Sequence, residues 1–588
     1  MNNSKNLSLH YFALAGVIAL GAILRFWHLD LKPLWLDEVL TALLSLGHRY
    51  KDVPLDVVFS PATLQHLFTL KSGVSCPEIA QAVATESTHP PLFFCLMHHW
   101  LNGVEPVAQP LSWKLRSLPA LFGVGAIASI YCLNRIAFSP VAGLMGAALM
   151  AVSPFAVYLS QEARHYTLPM LFITLALLGL IRIQQTLYSQ RQLPRPIVWL
   201  GWGVVNSIGC YIHYFFILAF IAQLLTLTGL MYWRRQMLPR GSFLAVGLVI
   251  SGVAVSYLPW LSVMLGSFGR SETGWLPKPE NIAPLYQTLV GWLSMVIALP
   301  VEGQPLWIQL PVALLTIGFG SWVGWQASRG LKQLWRQPET HIATFTLSCF
   351  TLCVLLQFVA IIYLLGKDIT VAPRYNFVYF PAVCALLGAT LAIQGLKVRR
   401  LKVERLEAWK LGRLKVLSQS SKEQPAKEQL ASRIQPSTLV LCVSLLSCVF
   451  VVSNLVFLKA FHPQQVAREM NLEPPVPLMM VVGYDNFQEV ALGVSFALAI
   501  DQLKSGVSEG TTDASFAFFN RKLGYELVWQ KLSKLPALSV PRLNLWVVAP
   551  GLRRRDYPQQ LAVGQTSCRI DTTEHHRIGV PYQLYRCQ

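Results

Sequence analysis

Charge is scarce in this sequence. Only 13% of its 588 residues are Asp, Glu, Lys or Arg, where a soluble protein carries about a quarter. That deficit excludes an ordinary cytosolic enzyme, a disordered chain and a collagen-like fibre. Acidic residues are the scarcer sign: 29 Asp and Glu stand against 48 Lys and Arg, a formal net charge of +19. Cysteine is sparse as well. Eleven residues over this length are too few for a disulfide scaffold. No Walker, Rossmann or zincin motif appears, the loops offer no nucleotide-binding domain, and no repeat of solenoid period is visible.

What the sequence has instead is apolar length. Hydrophobic residues make up 53% of it, and its mean hydropathy is +0.45. A membrane span needs roughly 20 mostly apolar residues. Eleven stretches qualify, at 11–27, 115–134, 141–159, 165–183, 197–213, 214–233, 243–264, 304–326, 343–366, 375–396 and 437–459. The first lacks a small-x-small cleavage site and runs into Arg25-Phe26-Trp27, so it reads as a retained anchor. With a cytoplasmic N-terminus, the loop 397–433 lies inside and holds eleven Lys/Arg against four Asp/Glu. The loop 28–114 then lies outside and holds five Lys/Arg against eight Asp/Glu. That asymmetry follows the positive-inside rule and accounts for much of the net charge without nucleic acid. The basic loop reads as a helix resting on anionic headgroups. Residues 90–103 are apolar but short, and are expected to form a helix lying along the outer membrane surface. Residues 283–300 are a second such case.

Residues 460–588 contain no further span. Met479–Gly483 and Leu543–Ala549 read as buried strands and Val490–Leu503 as a helix. The fold class expected is a polytopic α-helical membrane protein of about 11 transmembrane helices with a small extracytoplasmic α/β C-terminal domain. The divisions are 1–396 for the transmembrane module including the loop 28–114, 397–436 for the basic loop, 437–459 for the last span and 460–588 for the α/β domain. Cys568 and Cys587 are the only cysteines of that domain, and whether they are bridged is left open. The other cysteines fall mostly in spans and read as packing residues.

Charged residues at the membrane edge are costly and mark function by default. Here they gather at one side. Asp37 and Glu38 follow the first span. Glu162 and Arg164 lie at the outer end of the third. His89 precedes Pro90-Pro91, His213-Tyr214 mark a tight turn, and Lys367, Asp368, Arg374 and Tyr375 lie between the ninth and tenth spans. Singly, each has a structural alternative, such as a helix start, an ion pair or a turn. Together they suit chemistry on a lipid-linked phosphate. A carboxylate takes a proton from an acceptor hydroxyl, and arginines hold a phosphate by charge-assisted hydrogen bonds.

Four stretches carry a resemblance to a known group, in matching order and spacing across residues 10–395. They are Leu34-Trp35-Leu36-Asp37-Glu38, Thr88-His89-Pro90-Pro91-Leu92-Phe93-Phe94, Ser153-Pro154-Phe155 through Ser160-Gln161-Glu162-Ala163-Arg164-His165-Tyr166, and Pro373-Arg374-Tyr375. They resemble the membrane glycosyltransferases of the GT-C fold, in particular the family-39-like group. That group includes protein O-mannosyltransferases, aminoarabinose transferases and the RgtA/B/C/D-like galacturonosyltransferases. The resemblance implies transfer of a sugar from a polyprenyl-phosphate donor to a lipid, glycan or protein acceptor, on the outer side of a bacterial plasma membrane. It implies that Asp37 is the base or its close partner, with Glu38 beside it and Glu162 as the second acidic site. His89 stands where some relatives have a lysine. A histidine serves a phosphate only when protonated or as a neutral donor, so Arg374 is the better phosphate ligand and Arg164 the second. Tyr166, His213 and Tyr375 would support them. No cofactor is fixed. A divalent metal is open, with Asp37, Glu162 and His89 as its ligands. Membrane lipids are expected partners and nucleic acid is not.

Two other classes compete. A polyprenyl-lipid flippase or other transporter calls for charges at span centres and for repeated halves. A polysaccharide polymerase or ligase leans on arginine and histidine rather than an Asp-Glu pair after the first span.

Overall fold

The computed structural model describes residues 2–267, 275–395, 435–505, 514–536 and 542–588. The chain opens with α1 (Asn2–Phe26). The segment after it folds into α2 (Leu36–Ser45), a two-residue strand β1 (Val58–Phe59), α3 (Pro61–Leu67), α4 (Cys76–Glu86) and α5 (Leu92–Val104). A helical bundle follows: α6 (Leu111–Ala137), α7 (Pro140–Val152), α8 (Pro154–Ser160), α9 (Thr167–Gln184), α10 (Pro196–Cys210), α11 (Phe215–Trp233), α12 (Ser242–Ser267), α13 (Ala283–Leu293), α14 (Leu306–Arg336) and α15 (Pro338–Leu364). Then come α16 (Phe380–Gly395) and α17 (Pro436–Val452). Seven helices are long and apolar enough to cross a membrane, α7 and α8 form one bent pair, and α10, α16 and α17 are shorter apolar helices. Every one of the eleven apolar stretches therefore coincides with a helix or the bent pair. The basic loop 397–433, with its expected surface helix, lies outside the described residues. α5 is thirteen residues long and is tied to α4 by a Cys76–Cys95 disulfide. That bridge was not among the sequence expectations.

The break between α7 and α8 is built by Ser153-Pro154. Proline has no N–H to donate and opens a new helix comfortably. The Ser153 hydroxyl accepts from the Ala156 N–H at 3.4 Å. The two helices meet at a 58° bend. Inside a membrane the carbonyls freed by such a break need donors. Arg25, fully buried on α1, donates to Met150 O at 2.8 Å and to Ala151 O at 3.0 Å. Gly123 on α6 makes room for this corner. A Cβ there would sit 2.2 Å from the Ser160 hydroxyl and 2.7 Å from Arg25 Nε. The bend aims the end of α8, and with it Gln161–Tyr166, at the same end of the bundle as α2.

The C-terminal region adds α18 (Pro463–Met470), β2 (Leu478–Tyr484), α19 (Phe487–Ser505), β3 (Ala514–Asn520), α20 (Tyr525–Ser533), β4 (Leu543–Val548), β5 (Gln560–Val563), β6 (Thr566–Ile578) and β7 (Val580–Cys587). The expected strands and helix are β2, β4 and α19. The sheet runs β1-β3-β2-β4-β7-β6-β5, with β2 parallel to both β3 and β4 and the remaining pairs antiparallel. Alternate residues along β2 face opposite sides. Met480 and Val482 pack with α19 and α2, while Met479 and Val481 pack with α20. β1 arrives from the loop after α1, pairing Val58 with Ala517 and Phe59 with Phe516. Cys568 and Cys587 lie opposite each other on β6 and β7 and are bridged.

Candidate functional site

Two adjacent acids start α2, where the helix dipole favours negative charge. They have different surroundings. Glu38 is completely buried. Arg116 of α6 grips it with two parallel bonds, Nε to Oε1 at 2.8 Å and Nη2 to Oε2 at 2.6 Å. The Ala163 N–H donates to Oε1 at 2.7 Å and the Trp35 N–H to Oε2 at 3.3 Å. Arg116 spends its other N–H groups on the carbonyls of Leu29, Lys32 and Pro33. Burial opposes the Glu38 charge, but Arg116 and these hydrogen bonds outweigh it, and the carboxyl is held below its usual range. Glu38 thus clamps α2 to α6 and to the turn after α8.

Asp37 turns the other way. Its Oδ2 lies 3.4 Å from Arg374 Nη2, and both side chains are about one-sixth exposed, at 15% and 17%. Arg374 comes from a 3-10 turn (Pro373–Val378) just before α16. Its guanidinium lies 5.7 Å from the Trp35 ring centre, 5.4 Å from Trp275 and 5.7 Å from Tyr375. Its Nε is buried without a hydrogen-bond partner. Arg164 approaches α2 from the other flank, donating to Asp37 O at 3.2 Å and Thr41 Oγ1 at 2.8 Å.

Behind the arginines stand three histidines. The His89 ring lies 4.7 Å from His165, which lies 4.7 Å from His213. His89 Nε2 faces Arg164 Nη2 at 3.3 Å and Nδ1 faces Ser87 Oγ at 3.1 Å. Burial, Arg164 and Arg374 push the His89 imidazole well below its usual value, which leaves it neutral. A neutral ring whose Nε2 meets a guanidinium accepts there, so Nδ1 carries the hydrogen. His213 Nδ1 accepts from the Phe215 N–H at 2.9 Å. Tyr166 is buried beside Arg164, 5.7 Å from guanidinium to ring. Tyr375 packs against Phe215 with its ring tilted, 4.7 Å between centroids.

Glu162 is linked to this group through Trp35. Its Oε1 pairs with Lys459, while Oε2 is buried without a hydrogen-bond partner. Lys459 also donates to Tyr158 OH at 2.6 Å and rides 4.0 Å above the Trp35 ring. Lys32 sits near the Glu162–Lys459 and Glu38–Arg116 pairs. Burial, with Arg116 and Lys459 adding to it, brings its ammonium down to about 8. Trp35 is thus shared by two ion pairs, touching Arg374 of the Asp37 pair and Lys459 of the Glu162 pair.

Asp37, Arg374, Arg164, His89, Tyr166, His213 and Tyr375 thus converge, and Glu162 adjoins them through Trp35. Asp37, Glu162 and His89 do not meet as a metal-ligand set. Each is engaged by a different cation, and among the described residues no three His, Cys, Asp or Glu side chains gather as a metal site. Sequence reasoning passed over Arg116 and Lys459. The signal was present in both, since each is a cation at the end of an apolar stretch.

The sequence pattern of the dolichyl-phosphate-mannose-protein mannosyltransferase family matches residues 88–260. That stretch contains His89, Glu162, Arg164, Tyr166 and His213. No curated protein matches the sequence. Among solved structures, ArnT from Cupriavidus metallidurans in the apo state is similar at 11% identity and a TM-score of 0.51, covering 100% of this chain and 98% of that one. The same enzyme bound to undecaprenyl phosphate is similar at 11% identity and a TM-score of 0.50, covering 99% and 98%. The oligosaccharyltransferase AglB from Archaeoglobus fulgidus reaches 0.44 at 14% identity, covering 84% of this chain and 64% of that one. The fold of this chain is the GT-C fold of membrane glycosyltransferases, an apolar helical bundle with a C-terminal sheet domain.

Proposed function

We propose that this protein is a membrane glycosyltransferase that takes its sugar from a polyprenyl-phosphate donor. The observation that carries this reading is the Asp37–Arg374 pair at one end of the bundle, with Arg164 bound to the same helix start. A carboxylate beside two arginines suits a reaction in which an acceptor loses a proton and a phosphate leaves. Asp37 takes the acceptor proton. Arg374 and Arg164 hold the departing phosphate through charge-assisted hydrogen bonds. His89 positions Arg164 rather than binding phosphate itself, because its Nε2 is already spent on that guanidinium. Glu38 positions the helix. Glu162 is the second acidic group, steered by Lys459.

The match to the mannosyltransferase family pattern supports the donor class. So does the likeness to an enzyme whose structure holds undecaprenyl phosphate. The site end of the bundle faces the outside of the cell in this reading, with the N-terminus within. No step runs through a metal.

The test is sugar release and transfer by purified protein, from a panel of radiolabelled polyprenyl-phosphate sugars. Wild type is compared with Asp37→Asn, which keeps the shape and removes the base. Sugar release that falls by 100-fold or more in the variant is expected, about the contribution of a positioned general base. Equal release by both proteins would remove Asp37 from the chemistry.

A further inference from the structure

A second cluster of positive charge lies on the sheet domain, away from Asp37. β4 ends at Val548, and the chain turns through Gly551, whose φ of +81° suits glycine, into Arg553-Arg554-Arg555. The end of β6 comes alongside and brings His575 and Arg577. Gly551, Arg553, Arg554, His575, Arg577 and Pro581 line one pocket there. No carboxylate lines it. The nearby acids are committed elsewhere: Asp556 to Arg555, Glu574 to His576 and Asp571 to Arg586. Arg554 is held by the Thr572 carbonyl at 2.7 Å. Among the described residues, the side chains of Arg553 and Arg577 have no ion pair or hydrogen bond. Like charges brought into one hollow repel unless an anion joins them. Guanidinium forks match phosphate oxygens in particular. The hollow sits beyond the carboxyl end of β4, the end at which α/β sheets commonly bind ligands.

The neighbourhood of the pocket indicates where the anion comes from. The β6–β7 turn at Gly579 rests on the linker leaving the last apolar helix. A Cβ at Gly579 would lie 2.3 Å from the Phe461 ring and 2.9 Å from the Ala460 carbonyl. Phe461 follows the end of α17 by only nine residues. This rim of the sheet therefore stands close to the surface from which α17 emerges. Basic residues at that height meet phosphate headgroups.

We infer that Arg553, Arg554 and Arg577 form a binding site for the phosphate of a membrane lipid headgroup, separate from the Asp37 site. The inference does not depend on the proposed transferase reaction. The full chain, purified in neutral detergent and stripped of lipid, is titrated with phosphatidylglycerol. In parallel it is titrated with a diglucosyl diacylglycerol, which has no phosphate, and bound lipids are counted by native mass spectrometry. Arg553→Gln with Arg577→Gln should weaken one phosphatidylglycerol site about tenfold or more and leave the phosphate-free lipid unchanged. Arg553→Lys with Arg577→Lys, which keeps the charge and loses the fork, should weaken that binding less than the glutamine pair does. Both pairs are exposed, so folding is retained, and the unchanged glycolipid arm verifies it. The site is overturned if the glutamine variant binds phosphatidylglycerol as wild type does. The lipid assignment is overturned if soluble glycerol phosphate displaces phosphatidylglycerol at equal concentration.

Discussion

Asp37 and Glu38 are neighbours in sequence with opposite environments, and the contrast rests on which cation each meets. Glu38 has Arg116 and two backbone N–H groups around a fully buried carboxylate. Asp37 has Arg374 at 3.4 Å in a partly open setting. A buried pair that loses one partner leaves an uncompensated charge, at a cost of about 3–5 kcal/mol. Glu38→Gln should therefore lower the unfolding temperature in detergent markedly, while Asp37→Asn leaves it near that of wild type. Equal unfolding temperatures for the two variants would refute this division. The Asp-Glu pair could be read from the sequence. Its division of labour could not, because Arg116 lies 78 residues away from Glu38. The same holds for Lys459, which reaches Glu162 only after the whole bundle has folded. Arg374 was legible because an arginine at a span edge needs a reason to be there.

At the scale of the element, the break between α7 and α8 is the feature that sets the site. Ser153-Pro154 was visible in the sequence as a motif, but read as one span it gave no bend. The bend depends on Arg25 and Gly123, which come from two other helices and obey no local pattern. This gives a matched test within α6. A Gly→Ala change inside a helix ordinarily gains about 0.5–1 kcal/mol. Gly125→Ala should behave so, since its Cβ would meet only Leu171 at 3.4 Å. Gly123→Ala should instead destabilise by about 1–3 kcal/mol from overpacking and lower activity by shifting α8. Thermal unfolding of the two variants side by side checks it, and similar curves would contradict the packing account. The long apolar helices were the most legible elements, because one solvent dictates their composition. The fully buried strands β2 and β4 were legible as short apolar runs. β1 was not, since two residues carry no periodicity.

For the whole molecule, the proposed orientation places the sheet domain and the Asp37 site together outside the membrane. A tag after residue 588 should then be reachable by an impermeant reagent in intact cells, and a tag inserted near residue 420 should not. The reverse pattern would invert the chain. Eleven apolar stretches made the helical bundle readable in outline, and the charge asymmetry of the loops is the ground for the proposed orientation. The union of the first loop with the C-terminal sheet was hidden, because strand pairing across such a separation leaves no trace in either segment alone.

That union has a consequence for how the protein is made. Val58 and Phe59 wait for Ala517 and Phe516, and α2 waits for α19 to cover it. The segment bearing Asp37 leaves the ribosome early, yet its supports are translated almost last. Contacts so distant in sequence form slowly. A chain that stops short of α19 has every helix of the bundle and still leaves α2 without its cover. A premature stop before α19 thus acts as a lesion at the N-terminal end of the site.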